Sequence, residues 1–172
     1  VNKLDREGRD PFEILDELEA ELKIAVRPLS WPINIGAKFK GVYNIYEKSL
    51  DLFTPDKQRA TERVEIDDIN DPRIDEAVGD VDAAKLREDL ELVEGVYPEF
   101  DVNDYLAGRT APVFFGSALN TFGVKEMLDC FVKIAPSPRP VSAEERTVTP
   151  EEPQFSGFVF KIHANMDPNH RS

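Results

Sequence analysis

The chain has 172 residues and a mass of 19.5 kDa, enough for one domain or two small ones, and 41% of its residues are hydrophobic, enough to build a core. Its formal net charge of -13 argues against a surface that follows nucleic-acid phosphates, so no direct DNA binding is expected. A single cysteine, the lack of a signal peptide and the lack of a membrane-spanning apolar run predict a protein of the reducing cytoplasm without a membrane partner.

The first long predicted element is a helix. Asp10 suits the N-cap position, Pro11 the first helical position and Glu13 a capping box. Apolar residues then recur at three- and four-residue spacing, which predicts one buried face. The residues of this face are Ile14, Leu15, Leu18 and Leu22. We expect the helix to end at Arg27-Pro28, because the residue before a proline disfavours the helical conformation.

Short β segments follow the helix. Prolines make the first of them typical of an edge strand. The four predicted strands span residues 29–35, 39–46, 50–53 and 63–66. Trp31, Tyr43 and Tyr46 could stack on a ligand, but aromatic residues on strands more often pack in a core, and we predict packing.

Helical patterns return after residue 72. We expect helices at 74–78, at 82–94 with Gly95 just past its end, and from Asp101 or Asn103 to Leu106. Several acidic residues here invite a metal-site interpretation, but no histidine or cysteine accompanies them at a ligand spacing. We therefore predict a solvated helix face. These residues are Asp80, Asp82, Glu88, Asp89, Glu91 and Glu94.

Residues 111–115 are an apolar run that is typical of a parallel strand covered on both faces. A G-S-A motif follows at the carboxyl end of this strand, where open α/β sheets bind their ligands. A helix over residues 124–135 comes next, and Cys130, off its predicted apolar stripe, has no neighbouring base that would make it reactive. The stripe consists of Val124, Leu128, Phe131, Val132 and Ala135.

The last part of the chain has a different composition. Prolines and polar residues over 137–153 predict a linker. The alternating residues of 155–163 then predict a strand that opens a new domain. His163, Asp167 and His170 have no spacing that fixes a metal geometry, so no metal site is predicted there.

The N-K-L-D motif near the start of the chain and the later G-S-A motif can together hold a guanine base. The Asp5 carboxylate can accept both the N1–H and the 2-amino group of guanine, and adenine lacks these donors. Asn2 would brace the neighbouring loop, Lys3 would lay its stem along the ring, and the Ala118 N–H would approach the guanine O6. Alone, N-K-L-D equally fits an ordinary turn before a helix. The candidate base-binding residues are Asn2, Lys3, Leu4, Asp5, Ser117 and Ala118, with no catalytic or metal-ligating residue.

This order of motifs resembles that of the translational GTPases, and in particular the bacterial peptide chain release factor 3 group. The resemblance covers essentially the whole chain. Its most specific part is the run G-F-V-F-K-I, which continues into A-N-M-D-P-N-H-R. Other matching segments are residues 22–24, 31–33, 39–43 and 112–119. Elongation factor G shares both base-reading motifs, but its sequence after the last strand differs. Asn34 stands where many relatives are expected to have glycine, which leaves the geometry of that turn open.

The resemblance implies an α/β fold: the C-terminal part of a P-loop GTPase domain with an inserted α+β subdomain, and then the first strand of a β-barrel domain. The implied divisions are GTPase-domain parts at 1–28 and 105–136, the insertion at 29–104, the linker at 137–153 and the second domain from 154 to 172. The chain is then expected to be a piece of something longer. Strands flanking residues 113–115 would be missing, and the apolar surface left over would need a partner chain or stay poorly ordered.

The resemblance also implies binding of GTP or GDP, with Mg²⁺ only in the full-length parent. The implied function is translation termination, in which the GTP-bound protein promotes departure of class I release factors from the ribosome. The implied partners are the ribosome, class I release factors and, through the acidic insertion, ribosomal stalk proteins.

Because the chain has no G-x-x-x-x-G-K-[ST] loop and no switch segment, we expect it alone to bind nucleotide weakly and not to hydrolyse GTP. Two alternatives stay open. The chain could belong to another translational GTPase, such as elongation factor G or a ribosomal protection protein. It could also be an acidic protein-interaction module without a nucleotide role.

Overall fold

The computed structural model describes residues 1–54 and 62–162 and forms two compact units, Val1–Ala135 and Pro136–Ser172. The first unit contains helices, a parallel strand pair and an antiparallel sheet, so the predicted mixed α/β class is confirmed. The predicted divisions inside this unit stay predictions. In chain order the elements are α1 (Pro11–Leu22), β1 (Ala25–Pro28), β2 (Ser30–Ile33), β3 (Gly41–Asn44), β4 (Ser49–Leu52), β5 (Glu62–Glu65), α2 (Pro72–Val78), α3 (Asp80–Val96), α4 (Val102–Leu106), β6 (Thr110–Val113), α5 (Val124–Ile134), β7 (Val141–Ser142) and β8 (Thr147–Val148).

Helix α1 begins where its capping residues predict. The Asp10 carboxylate accepts the N–H of Phe12 at 2.8 Å, and a proline occupies the first helical position. The helix ends earlier than predicted, because Lys23 adopts a left-handed conformation with φ of 55°. The predicted apolar face is only partly right: Leu15 is fully buried, whereas Leu22 is 60% exposed.

The residues predicted to finish that helix form strand β1 instead. Strand β1 pairs in parallel with β6, with Val26 opposite Ala111. The extended segment that follows β6 forms hydrogen bonds with Val1 on its other edge. The Val1 amino group donates to the Phe114 carbonyl, and the Val1 carbonyl accepts from the Gly116 N–H. Alternate backbone groups of a strand point to opposite edges, so this segment has neighbours on both sides. The prediction that its flanking neighbours would be missing is therefore wrong.

An antiparallel sheet with the order β2-β3-β4-β5 follows. All four predicted strands are present, and the strand with Pro32 lies at the edge of the sheet, where a proline removes no ladder hydrogen bond. Trp31 and Tyr43 are buried, which confirms that they are packing residues. The Tyr43 hydroxyl donates to the Ile66 carbonyl at 3.0 Å, so its polar end is satisfied inside the core.

Trp31 connects the sheet to the segment that carries the second motif. Its ring lies 4.5 Å from Phe12 of α1 and 5.5 Å from Phe115, measured between ring centroids. Its indole N–H donates to Asp89 of α3 at 3.1 Å. One buried residue thus holds two helices and the segment between β6 and the G-S-A motif in a common core.

Helix α3 is longer than predicted and contains Gly95 inside its last turn, because Tyr97 rather than the glycine provides the C-cap. The predicted solvated acidic face is also only partly right. Asp82 pairs with Lys40 at 2.6 Å, and Asp89 accepts from the buried Trp31. These two carboxylates join α3 to the antiparallel sheet.

Helix α5 buries a different face from the predicted one. Cys130 and Ile134 are buried against Leu29, whereas Leu128, Phe131 and Val132 are 49%, 54% and 79% exposed. The helix has two apolar faces, and the spacing of its hydrophobic residues alone favours the face that has more of them. Burial raises the pKa of the Cys130 thiol, which agrees with an unreactive side chain.

The second unit contains β7 and β8, which form a two-residue antiparallel pairing. The strand predicted from residue 155 is not formed over the described residues 155–162, which are neither strand nor helix. Strands β7 and β8 pair with each other, and an extended segment without a hydrogen-bonded neighbour is not stable as a strand. The remainder of this prediction, and the predictions for His163, Asp167 and His170, lie outside the described residues.

Asn34 adopts a left-handed conformation with φ of 61°. Glycine favours this conformation and asparagine tolerates it, so the departure from the glycine expected here is compatible with the turn. The Asn34 side chain also hydrogen-bonds Asp82, which lowers the pKa of that carboxyl.

We therefore expect Asn34→Ala to lower the free energy of unfolding by about 1–2 kcal/mol, because a Cβ without a compensating polar group is disfavoured there. Asn34→Gly should lose less, since glycine has no Cβ. Urea denaturation of the two variants measures the difference. If both variants lose the same free energy of unfolding, backbone conformation is not the cause, and the effect belongs to the lost hydrogen bond with Asp82.

No helix within residues 1–54 and 62–162 has both the length and the apolar character that a membrane crossing requires.

Candidate functional site

The two sequence motifs lie side by side, although about 112 residues separate them in the chain. The Leu4 N–H donates to the Gly116 carbonyl at 3.2 Å, and the Gly116 N–H donates to the Val1 carbonyl at 3.0 Å. Gly116 has no room for a side chain, because an added Cβ would lie 2.5 Å from the Phe122 carbonyl oxygen. The backbone thus brings the N-K-L-D and G-S-A segments into contact.

Asp5 is held by the second motif. The Ser117 hydroxyl donates to Asp5 Oδ1 at 2.5 Å, and Ser117 is only 1% exposed. Asp5 itself is only partly buried. An ionised carboxylate offers about four acceptor positions. One bond to Ser117 therefore leaves capacity for a ligand that donates two hydrogens.

Asn2 joins the two loops. Its Oδ1 accepts the N–H of Lys3 at 2.7 Å and the N–H of Ala118 at 2.9 Å. These bonds use both acceptor positions of the amide oxygen, so the amide –NH₂ is the group of Asn2 that can donate to a ligand. The bracing role predicted for Asn2 matches this geometry. The Ala118 N–H, predicted to approach the guanine O6, instead already donates to Asn2.

Lys3 and Leu4 hold the loop in place, and both line the small cavity beside it. Lys3 has a φ of 73°, a left-handed conformation that closes a tight turn with the Arg6 N–H donating to the Lys3 carbonyl at 3.0 Å. The Leu4 side chain is buried in the core, so this candidate residue anchors the loop. Its carbonyl accepts from the Gly36 N–H at 2.8 Å.

The two loops form an open edge rather than an enclosed pocket. The cavity beside Asn2 and Lys3 has a volume of about 50 Å³, less than the share of two water molecules in the liquid. Two larger cavities of about 490 and 520 Å³ both adjoin Lys48 and Glu94, away from the motifs. Among the residues that the structure describes, no group of three or more acidic, histidine or cysteine side chains could hold a metal ion.

Sequence reasoning missed Asn120, which belongs to the same hydrogen-bond network. Its amide donates to the Ser117 hydroxyl oxygen at 2.8 Å. The available signal was an amide side chain three residues after a serine in the second motif, a spacing that a single turn brings together.

No protein-family model matches the chain. The structure is similar to a crystal structure of a protein from Thermus thermophilus, with 20% sequence identity and a TM-score of 0.47. The similarity covers 80% of this chain and 22% of that protein, so this chain spans about a fifth of its length.

Proposed function

We propose that the edge formed by N-K-L-D and G-S-A reads a guanine base. The observation that carries this proposal is the contact between Asp5 and Ser117, which brings a carboxylate of the first motif to the second motif. A fixed carboxylate at an open edge can accept the N1–H and 2-amino donors of guanine at once. Adenine offers no such pair and would leave the carboxylate without its partners.

The wider function that we propose is that of a translation-termination GTPase, of which this chain supplies the base-reading part. This rests on the sequence resemblance to release factor 3. The parent would bind GTP or GDP, act on the ribosome and promote departure of class I release factors. The acidic insertion would contact protein, for which stalk proteins are the candidate partners. A different translational GTPase would use the same edge in the same way.

The test is to titrate the chain with GMP and, separately, with AMP. NMR measures the change in the amide chemical shifts during each titration. We expect GMP to shift the amide signals of Lys3 and Ala118 with a Kd in the millimolar range, because only the base is held, and AMP to leave them unchanged. Asp5→Ala should remove the GMP response, since losing two charge-assisted hydrogen bonds weakens binding by about 100-fold.

Glu88→Ala is the matched control, because it removes one carboxylate from an exposed position of α3. It should bind GMP like the unmodified chain. Equal shifts with GMP and AMP, or a GMP response that survives in Asp5→Ala, would reject the proposal and favour an acidic interaction module.

A further inference from the structure

Three side chains form a directed hydrogen-bond chain that ends on Asp5. The Asn120 Nδ2 donates to Ser117 Oγ at 2.8 Å, and Ser117 Oγ donates to Asp5 Oδ1 at 2.5 Å. The middle residue is buried and the two outer ones are partly buried. We infer that Asn120 is a positioning residue that acts through Ser117 to set the orientation of the Asp5 carboxylate, an inference that rests on the proposed guanine-reading function.

The direction of the chain follows from the chemistry of its members. A hydroxyl has one proton, and an ionised carboxylate can only accept. Because the Asn120 –NH₂ group can only donate, Ser117 must accept from it, and its single proton is directed at Asp5. Without Asn120, the Ser117 proton would be able to rotate toward other acceptors.

The loop holds Asn120 in the position that this role requires. The Asn120 N–H donates to the Ser117 carbonyl at 3.0 Å, which closes a single 3₁₀ turn. Ser117 also exchanges two backbone hydrogen bonds with Phe122, each of 3.0 Å. Thr121 then leaves the turn in a left-handed conformation with φ of 56°. These contacts fix the distance between the Asn120 and Ser117 side chains.

The consequence for binding is orientation. A guanine edge needs both oxygens of Asp5 in one plane with its two donors, and a partly exposed carboxylate can otherwise turn about its own axis. Tying Oδ1 to a proton of fixed direction limits that rotation. Asn120 thus contributes to base reading without touching the base.

The first measurement compares the GMP affinity of the unmodified chain with that of Asn120→Ala in the NMR titration. We expect the Kd to rise by about 3- to 10-fold, the effect of one ordinary hydrogen bond. Asn120→Gln keeps the amide and should recover part of the loss. Thr121→Ala is the matched control in the same turn, because its hydroxyl bonds to the Asn120 carbonyl and not to Ser117.

A second measurement separates positioning from a merely structural effect. In the Asp5→Asn variant the two ends of the side chain differ, and the directed Ser117 proton selects the end that faces it. Adding Asn120→Ala should therefore reduce discrimination between guanosine and xanthosine monophosphates by several-fold, with the amide spectrum outside the loop unchanged.

The outcomes distinguish this inference from the proposed function. If the unmodified chain binds GMP and AMP alike, both are overturned. If it selects GMP but Asn120→Ala retains the affinity and the discrimination, only the inference about Asn120 is overturned. A loss in Thr121→Ala equal to that in Asn120→Ala would also overturn it, because the effect would then belong to the turn.

Discussion

Asp5→Asn is expected to change the preferred base from guanine to xanthine. An amide offers one acceptor and one donor in place of two acceptors, and xanthine offers an N1–H and a 2-oxo group in the matching positions. Guanine would instead set its 2-amino donor against the amide donor. We expect the ratio of GMP to xanthosine monophosphate affinity to fall by about 100-fold or more, because two hydrogen bonds to a charged group are replaced.

The structure sharpens this expectation, because Ser117 donates to Oδ1 of residue 5 at 2.5 Å. A donated proton holds the oxygen end of the new amide toward Ser117 and so fixes which end of the side chain carries the –NH₂ group. NMR titrations of the variant with both monophosphates measure the ratio. Asp5→Ala is the control, because it should lose GMP without gaining the xanthine ligand. A variant that still prefers GMP would contradict the base-reading geometry.

The proximity of the two motifs could be predicted from the sequence, because both are short and each offers hydrogen-bonding groups that suit a different part of one guanine base. The hydrogen-bond pattern within the site could not. Whether the Ala118 N–H points at a ligand or at Asn2 depends on backbone placement at the scale of a single bond, and the structure assigns it to Asn2 at 2.9 Å. The Asn120 contact had a signal in the sequence, an amide three residues after Ser117, but the atom to which that amide donates depends on the same backbone placement.

Elements with a single strong local signal were predicted well. Asp10 before a proline sets the start of α1, and residues 39–46 and 50–53, each predicted to form a strand, contain the paired strands β3 and β4. The end of α1 was wrong, because the residues after it, Ala25 and Val26, fit either a helix or a strand. These residues form a strand because they pair in parallel with residues of β6, each 85 positions later in the chain.

The face of α5 shows the limit of periodicity in a different way. Leu128, Phe131 and Val132 form the more apolar face, but the described core contacts the face with Cys130 and Ile134. A pattern ranks faces by their hydrophobicity and carries no information about which neighbour is present. Asp51 is a second residue whose burial could not be predicted, because the sequence of strand β4 does not indicate that its carboxylate lies in the core.

Asp51 is expected to make the protein less stable as the pH rises through the mildly acidic range. It is 1% exposed, and its Oδ2 has no hydrogen-bond partner within the described residues. The pKa of this carboxyl is raised from 3.8 to about 6, with burial as the largest cause and the charge of Glu126 in α5 as the next. Glu47 acts in the same direction, whereas Arg63, 3.8 Å away, opposes it.

The sign follows from proton binding. Between about pH 4 and pH 6 the folded state keeps a proton on Asp51 that the unfolded state has lost, so the unfolded state binds fewer protons and the free energy of unfolding falls as the pH rises. Above pH 6 the penalty for a buried charge is complete. The shift corresponds to at most about 3 kcal/mol, a net value that already includes the attraction to Arg63.

Asp51→Asn should therefore change little at pH 4 and raise the free energy of unfolding at pH 7 by about 1–3 kcal/mol relative to the unmodified chain. Urea denaturation at several pH values from 4 to 7 measures the divergence of the two curves. Glu62→Gln removes a carboxylate from an exposed position of the adjacent strand β5 and serves as the control, whose curve should stay parallel to that of the unmodified chain. If the Asp51→Asn curve is parallel as well, the buried carboxyl does not titrate in this range and the account of its burial is wrong. Divergence for Asp51→Asn alone would show that this buried carboxyl has a raised pKa in the folded state and destabilises the protein when it is charged.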